Sequence, residues 1–142
     1  MRYFVLLCLP LAACIGPSYR MDRPADTMPD LHLTKVTVTP TATRISFRYR
    51  SDQTRRIGVH APGAEGAFAI RAAKSTQTYA LKGAQGIALL PERTLVEAGT
   101  ALEFTLTFEP IPDMLREFHV GEGSYDPETG ETAWHFRNVK LP

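Results

Sequence analysis

Three histidines, His60, His119 and His135, are the residues whose chemistry combines most readily. Each stands one position from an apolar residue: Val59, Val120, and Trp134 with Phe136. Two-residue alternation sends neighbours to opposite faces of a strand, so the three imidazoles point outward if their apolar neighbours point in. Imidazoles on adjacent strands can hold Zn²⁺ or Cu²⁺, and one shared sheet would gather these three near Glu122. The competing expectation is three separate surface histidines, because no short ligand-spacing motif joins them. His32 stands at the start of an expected strand and is read as incidental.

Charge is the second source of chemistry. Residues 31–64 carry Lys35, Arg44, Arg48, Arg50, Arg55 and Arg56 against Asp52 alone, while residues 87–142 carry ten acids against four bases. A basic segment can meet anionic headgroups, peptidoglycan or an acidic partner. If strands 43–50 and 101–109 pair, Arg44, Arg48 and Arg50 share a side with Glu103 and Glu109. Cross-strand ion pairs would then absorb much of the charge. Arg55 and Arg56 fall in the turn beyond that ladder and are the candidate partner-binding residues. The whole chain holds 16 Lys+Arg against 15 Asp+Glu, which lacks the basic excess of a nucleic-acid binder.

The sequence has no Gly-x-Ser-x-Gly elbow and no His-Glu-x-x-His. Its two cysteines, Cys8 and Cys14, both lie near the start, so no disulfide framework is expected. Gly121-Glu122-Gly123-Ser124 precedes no helix whose N-terminus could hold a phosphate. The expectation is a non-enzyme without a cofactor.

Residues 1–13 have the layout of an export signal: Arg2, an apolar stretch, then Ala12 and Ala13. The apolar stretch is shorter than the ~20 residues of a spanning helix. The run Leu11-Ala12-Ala13-Cys14 resembles the lipobox of bacterial lipoproteins, and all four positions match. In that family the cysteine is diacylated on sulfur and becomes the new N-terminus. The resemblance implies lipidation at Cys14 and a membrane partner held through that lipid. Ile15, where Asp would signal inner-membrane retention, implies the outer membrane, with the domain facing the periplasm. Residues 14–30 then read as the lipidated cysteine and a flexible tether, since Pro17, Pro24 and Pro29 interrupt them and no apolar period shows. Extended at ~3.1 Å per residue, such a tether would reach ~50 Å.

The elements that must position these groups lie in residues 31–142. TRISFRYR at 43–50 and ALEFTLTFE at 101–109 alternate strictly and read as the paired centre of one sheet. Weaker strands are read at 31–39, 56–61, 67–72, 78–82, 87–90, 117–122 and 132–141. In the last, Trp134 and Phe136 take one parity and Val139 and Leu141 the other. A bulge near Arg137-Asn138 would return both pairs to the core. The segment 108–114 reads as a corner, where an X-Pro bond can be cis. No window keeps a helical period. Strands about every ten residues, divided by turn signals, predict an all-β, antiparallel two-sheet immunoglobulin-like sandwich, with a closed barrel as the alternative. Strands 56–61, 117–122 and 132–141 would form the second sheet.

Gly86-Ile87, Gly99, the strand FTLTFEPIP, Phe118, Glu122-Gly123 and the run from Trp134 to Val139 resemble immunoglobulin-like domains of exported bacterial proteins. That resemblance implies fold and brings no activity. The functional expectation is a lipid-anchored binding or scaffolding domain with a protein partner in an envelope complex. The alternative is a periplasmic metal carrier using the three histidines.

Overall fold

The computed structural model describes residues 16–123 and 134–142. Among them are ten strands and no helix: β1 (Ser18–Pro24), β2 (Leu31–Val38), β3 (Thr43–Arg50), β4 (Arg55–Ile57), β5 (Phe68–Ala72), β6 (Thr78–Gln85), β7 (Thr94–Val96), β8 (Ala101–Phe108), β9 (Glu117–Glu122) and β10 (His135–Lys140). Eight strands make one antiparallel sheet in the order β1-β2-β3-β8-β6-β5-β9-β10, and β4 with β7 makes a separate ribbon.

The centre is the pair whose alternation is strictest. β3 and β8 run in unbroken register from Thr43 opposite Phe108 to Arg50 opposite Ala101. Ile45, Phe47 and Tyr49 face inward with Phe104, Leu106 and Phe108, and all are buried. Phe47 and Phe104 are cross-strand neighbours whose rings stack at 5.3 Å, and Phe68 and Phe136 close on the same ring at 5.9 and 5.6 Å. Aromatic pairs at such separations add to the burial of their area, which is the main stabilising contribution here.

The separate sheets of the expected sandwich are joined into one through β6. Its first residues, Thr78–Ala80, pair with β5, and Leu81–Gln85 pair with β8 across an irregularity between Leu81 and Gly83. The sheet curls until its two edge strands meet. Asp26 N–H donates to His135 O at 2.7 Å, and Arg137 N–H donates to the Asp26 carboxylate at 2.7 Å. The Arg23 guanidinium donates to Arg137 O, and to Asn138 O at 3.3 Å. A sheet nearly closed like a barrel, with side chains laced across the seam, leaves less free edge than an open sandwich.

Half of that seam comes from residues read as tether. Ser18–Pro24 is a strand, paired with β2 from Ser18 opposite Thr37 to Pro24 opposite His32. Pro24 ends it, and an edge strand tolerates a missing N–H. Two other expectations change. The stretch 56–61 yields only the short β4, which pairs with β7 and not with β9 or β10. The stretch 87–90 is no strand but holds an isolated parallel bridge, Val59 to Leu89. Among the described residues the cis peptide is Leu90–Pro91, outside the 108–114 corner.

The bulge in β10 is where it was expected. Register shifts between Phe136 and Val139, and Asn138 takes φ of 53°. Trp134, Phe136, Val139 and Leu141 are consequently all buried. Asparagine is among the few non-glycine residues that adopt this left-handed conformation readily.

Candidate functional site

The barrel has two distinguishable ends. At one, the chain enters at Gly16 and Pro17, and Val38 N–H donates to Pro17 O at 2.9 Å. The corner Ile111–Leu115 lies at the same end, tied by Ile111 N–H to Thr43 Oγ1 at 3.0 Å. At the other end, β3 finishes at Arg50 and the β4–β7 ribbon follows. Gly99 N–H bonds Ser51 O at 2.8 Å and Ala98 N–H bonds Thr54 Oγ1 at 3.1 Å. At ~3.3 Å per residue, the eight residues of β3 separate the two ends by roughly 25 Å.

Arg55 and Arg56 lie on this far ribbon. Ile57, Val59 and Val96 bury themselves in the barrel, so the ribbon is seated on its core. The other face points out: it carries Arg56, which is exposed, and its cross-strand partner Leu95, 48% exposed, while Arg55 shares the parity of Ile57 and Val96 and is exposed at the start of the ribbon. Among the described residues neither arginine forms an ion pair. A guanidinium beside an exposed leucine, with a second exposed arginine next to it in the chain, can bind carboxylates and apolar surface together.

A second surface lies on the outer face of β1, β2, β3 and β8. Its floor is short: Ser46 Oγ lies 3.3 Å from Thr105 Oγ1, and Thr34 Oγ1 donates to Ser46 O at 3.1 Å. Arg20, Lys35, Arg48 and Glu103 stand around it, leaving an open depression of about 720 Å³. Glu103 stands opposite Arg48, as expected, but Arg48 reaches Asp22 of β1 at 3.7 Å. Glu109 accepts Ala80 N–H at 2.7 Å. Among the described residues the basic face is thus ion-paired through Asp22 of β1 and not through the cross-strand pairs with Glu103 and Glu109 that were expected. His32 Nδ1 also meets Asp22 at 2.6 Å, and this hydrogen bond holds the Asp22 carboxyl below its usual range. A carboxylate so held stays ionised and is unsuited to donate a proton as a general acid. Arg20 and Asp22 were missed as companions of Lys35 and Arg48 because residues 14–30 read as tether. The alternation of Tyr19 and Met21 was the signal available.

The histidines separate into a pair and a single residue. His119 of β9 and His135 of β10 stack with centroids 6.5 Å apart and planes 25° off parallel. His119 Nδ1 accepts Asn138 N–H at 3.0 Å, so the proton of the neutral ring sits on Nε2. His135 lies over Gly121, where a Cβ would stand 2.5 Å from its ring. His60 lies against Gly66 instead, on the stretch after β4. Among the described residues no group of three His, Cys, Asp or Glu side chains could hold a metal ion. The convergence expected of His60, His119 and His135 fails because β4 left the sheet that carries β9 and β10.

Glu122 and His135 are shifted by burial. Glu122 accepts Trp134 N–H at 2.9 Å, and desolvation raises its carboxyl despite that bond and the nearby His60. Desolvation lowers the His135 imidazole, and Arg137 and His119 lower it further. Cys14 lies outside the described residues. Among the described residues no helix is long and apolar enough to cross a membrane. No protein-family model, no curated protein and no solved structure matches the chain.

Proposed function

We propose that the chain is an envelope lipoprotein, anchored through Cys14 in the outer membrane and facing the periplasm. Its β domain displays a non-catalytic binding surface to a protein partner. One observation carries this reading: the chain enters the barrel at one end, and the exposed Arg55, Arg56 and Leu95 sit on the ribbon at the other. A domain tied down at its entry end holds that ribbon toward the periplasmic space. Arginines beside exposed apolar surface are the kind of residue that interfaces enrich. The lipobox supports the anchor, and the absence of a converged histidine set removes the support for metal carriage.

Reversing both charges tests the reading. Arg55→Glu with Arg56→Glu should reduce cross-linked capture of the partner from intact membranes. The reduction should be larger at low salt, where surface charge is less screened. The fold should survive, since both side chains are exposed. Capture unchanged at low salt would remove the ribbon from the interface.

A further inference from the structure

We propose that the entry end of the barrel rests directly on the bilayer that holds the anchor, with Met114 inserted among the acyl chains. The inference builds on the lipoprotein reading and names a second, non-covalent contact with the same membrane. Met114 is 85% exposed, against 48% for Leu95 and 38% for Leu89. A single exposed apolar residue is ordinary; the position of this one is what matters. It sits at the tip of the turn between Pro112 and Leu115, beside a groove of about 350 Å³ lined by Tyr19, Ile111, Leu115 and Leu141 with Asp113 and Arg116 at its polar side.

The same groove includes Pro17, so the chain enters the fold at its rim. Gly16 is pressed against the Val38 carbonyl, where a Cβ would stand 1.9 Å from the oxygen. The entry point is therefore fixed to the barrel. Cys14 precedes Gly16 by two residues, which extend at most about 7 Å. A lipid on Cys14 thus brings the bilayer to within a few ångströms of the groove.

The turn is held out and not folded back. Leu115 N–H donates to Pro112 O at 3.0 Å, and Ile111 N–H is fixed on Thr43. Arg116 donates to Tyr19 Oη at 3.4 Å, lies 5.4 Å from the centre of that ring, and also donates to Pro142 O. Tyr19 and Arg116 then lie at headgroup depth, which suits an amphipathic ring and a phosphate-binding cation. Methionine is unbranched and flexible, and it adapts to irregular apolar surroundings such as acyl chains.

The test uses the mature lipoprotein, extracted from membranes and reconstituted in phosphatidylethanolamine–phosphatidylglycerol vesicles. Met114→Cys supplies a single free thiol, because Cys8 leaves with the signal and the Cys14 sulfur is acylated. An environment-sensitive nitrobenzoxadiazole label goes on that thiol, and Leu95→Cys on the far ribbon serves as control. On floated vesicles the label at 114 should emit to the blue and be quenched by brominated acyl chains. The label at 95 should read water and resist quenching. Protein that floats while its 114 label reads water overturns the docking and leaves the anchor standing. A blue shift that brominated lipid does not quench points to a second copy covering Met114, and also overturns it. Protein that fails to float at all refutes the anchor, and the docking falls with it.

Discussion

Glu122 and His135 are shifted by the same cause with opposite consequences for stability. Burial favours the neutral form of each. For Glu122 the folded value is raised. Its contribution is present in full below the ordinary glutamate value of ~4.3 and is lost as pH rises through the raised value. At neutral pH the ionised group is a net cost. Glu122→Gln keeps an acceptor for Trp134 N–H and removes the charge, so its melting temperature should exceed the parent's at pH 8 and lose that advantage at pH 4. Equal offsets at both pH values would show that burial does not govern this carboxyl. For His135 the folded value is lowered. Its contribution is present above the ordinary ~6.5 and is lost as pH falls through the lowered value, so the two groups oppose each other across the acidic range. The outward parity of His135 was legible from Trp134 and Phe136, whereas Glu122 shares the parity of buried Val120. The desolvation of His135 was not legible, because its ring packs over Gly121 of the neighbouring strand.

The β10 bulge shows how far local pattern reaches. A change of parity between Phe136 and Val139 demands one extra residue, and asparagine can take the conformation that supplies it. Asn138→Gly should therefore be near neutral in stability. Asn138→Val puts a β-branched residue at positive φ and should cost about 1–2 kcal/mol, read as a lowered denaturation midpoint with unchanged slope. A neutral valine would mean the strand slips register without penalty. β3 and β8 were equally legible, since each holds an alternation long enough to show, and β9 less so. β1 was not: it is an edge strand with two large apolar residues, bounded by prolines that also suit a linker. β4 and β7, at three residues each, are too short to carry a period. Closure of the sheet was out of reach for a different reason. It depends on Arg23 and Asp26 meeting β10 more than a hundred residues away, and no local pattern encodes that distance.

At the scale of the whole molecule, drawing Ser18–Pro24 into the sheet changes the proposed geometry at the membrane. A free tether would let the domain range over ~50 Å. With β1 in place, Ser18 follows Cys14 by four positions, a span of at most about 14 Å. A barrel held so close meets the membrane with a defined end, and the two contacts proposed there differ greatly in strength. Burying Met114 fully is worth about 1.5–3 kcal/mol. That multiplies retention by roughly ten to a hundredfold, since each 1.4 kcal/mol is a factor of ten. Acyl chains contribute about 0.8 kcal/mol per buried CH₂, and two chains make attachment stable where one is reversible. The lipid should therefore dominate retention, with the methionine contact setting orientation. Cys14→Ser should move the protein into the soluble fraction after one wash, with its fold intact because the barrel begins after that position. Met114→Asp with Cys14 kept should leave it in the membrane pellet. If Cys14→Ser stays with washed membranes, retention comes from the folded domain, and the order of strengths argued here is reversed.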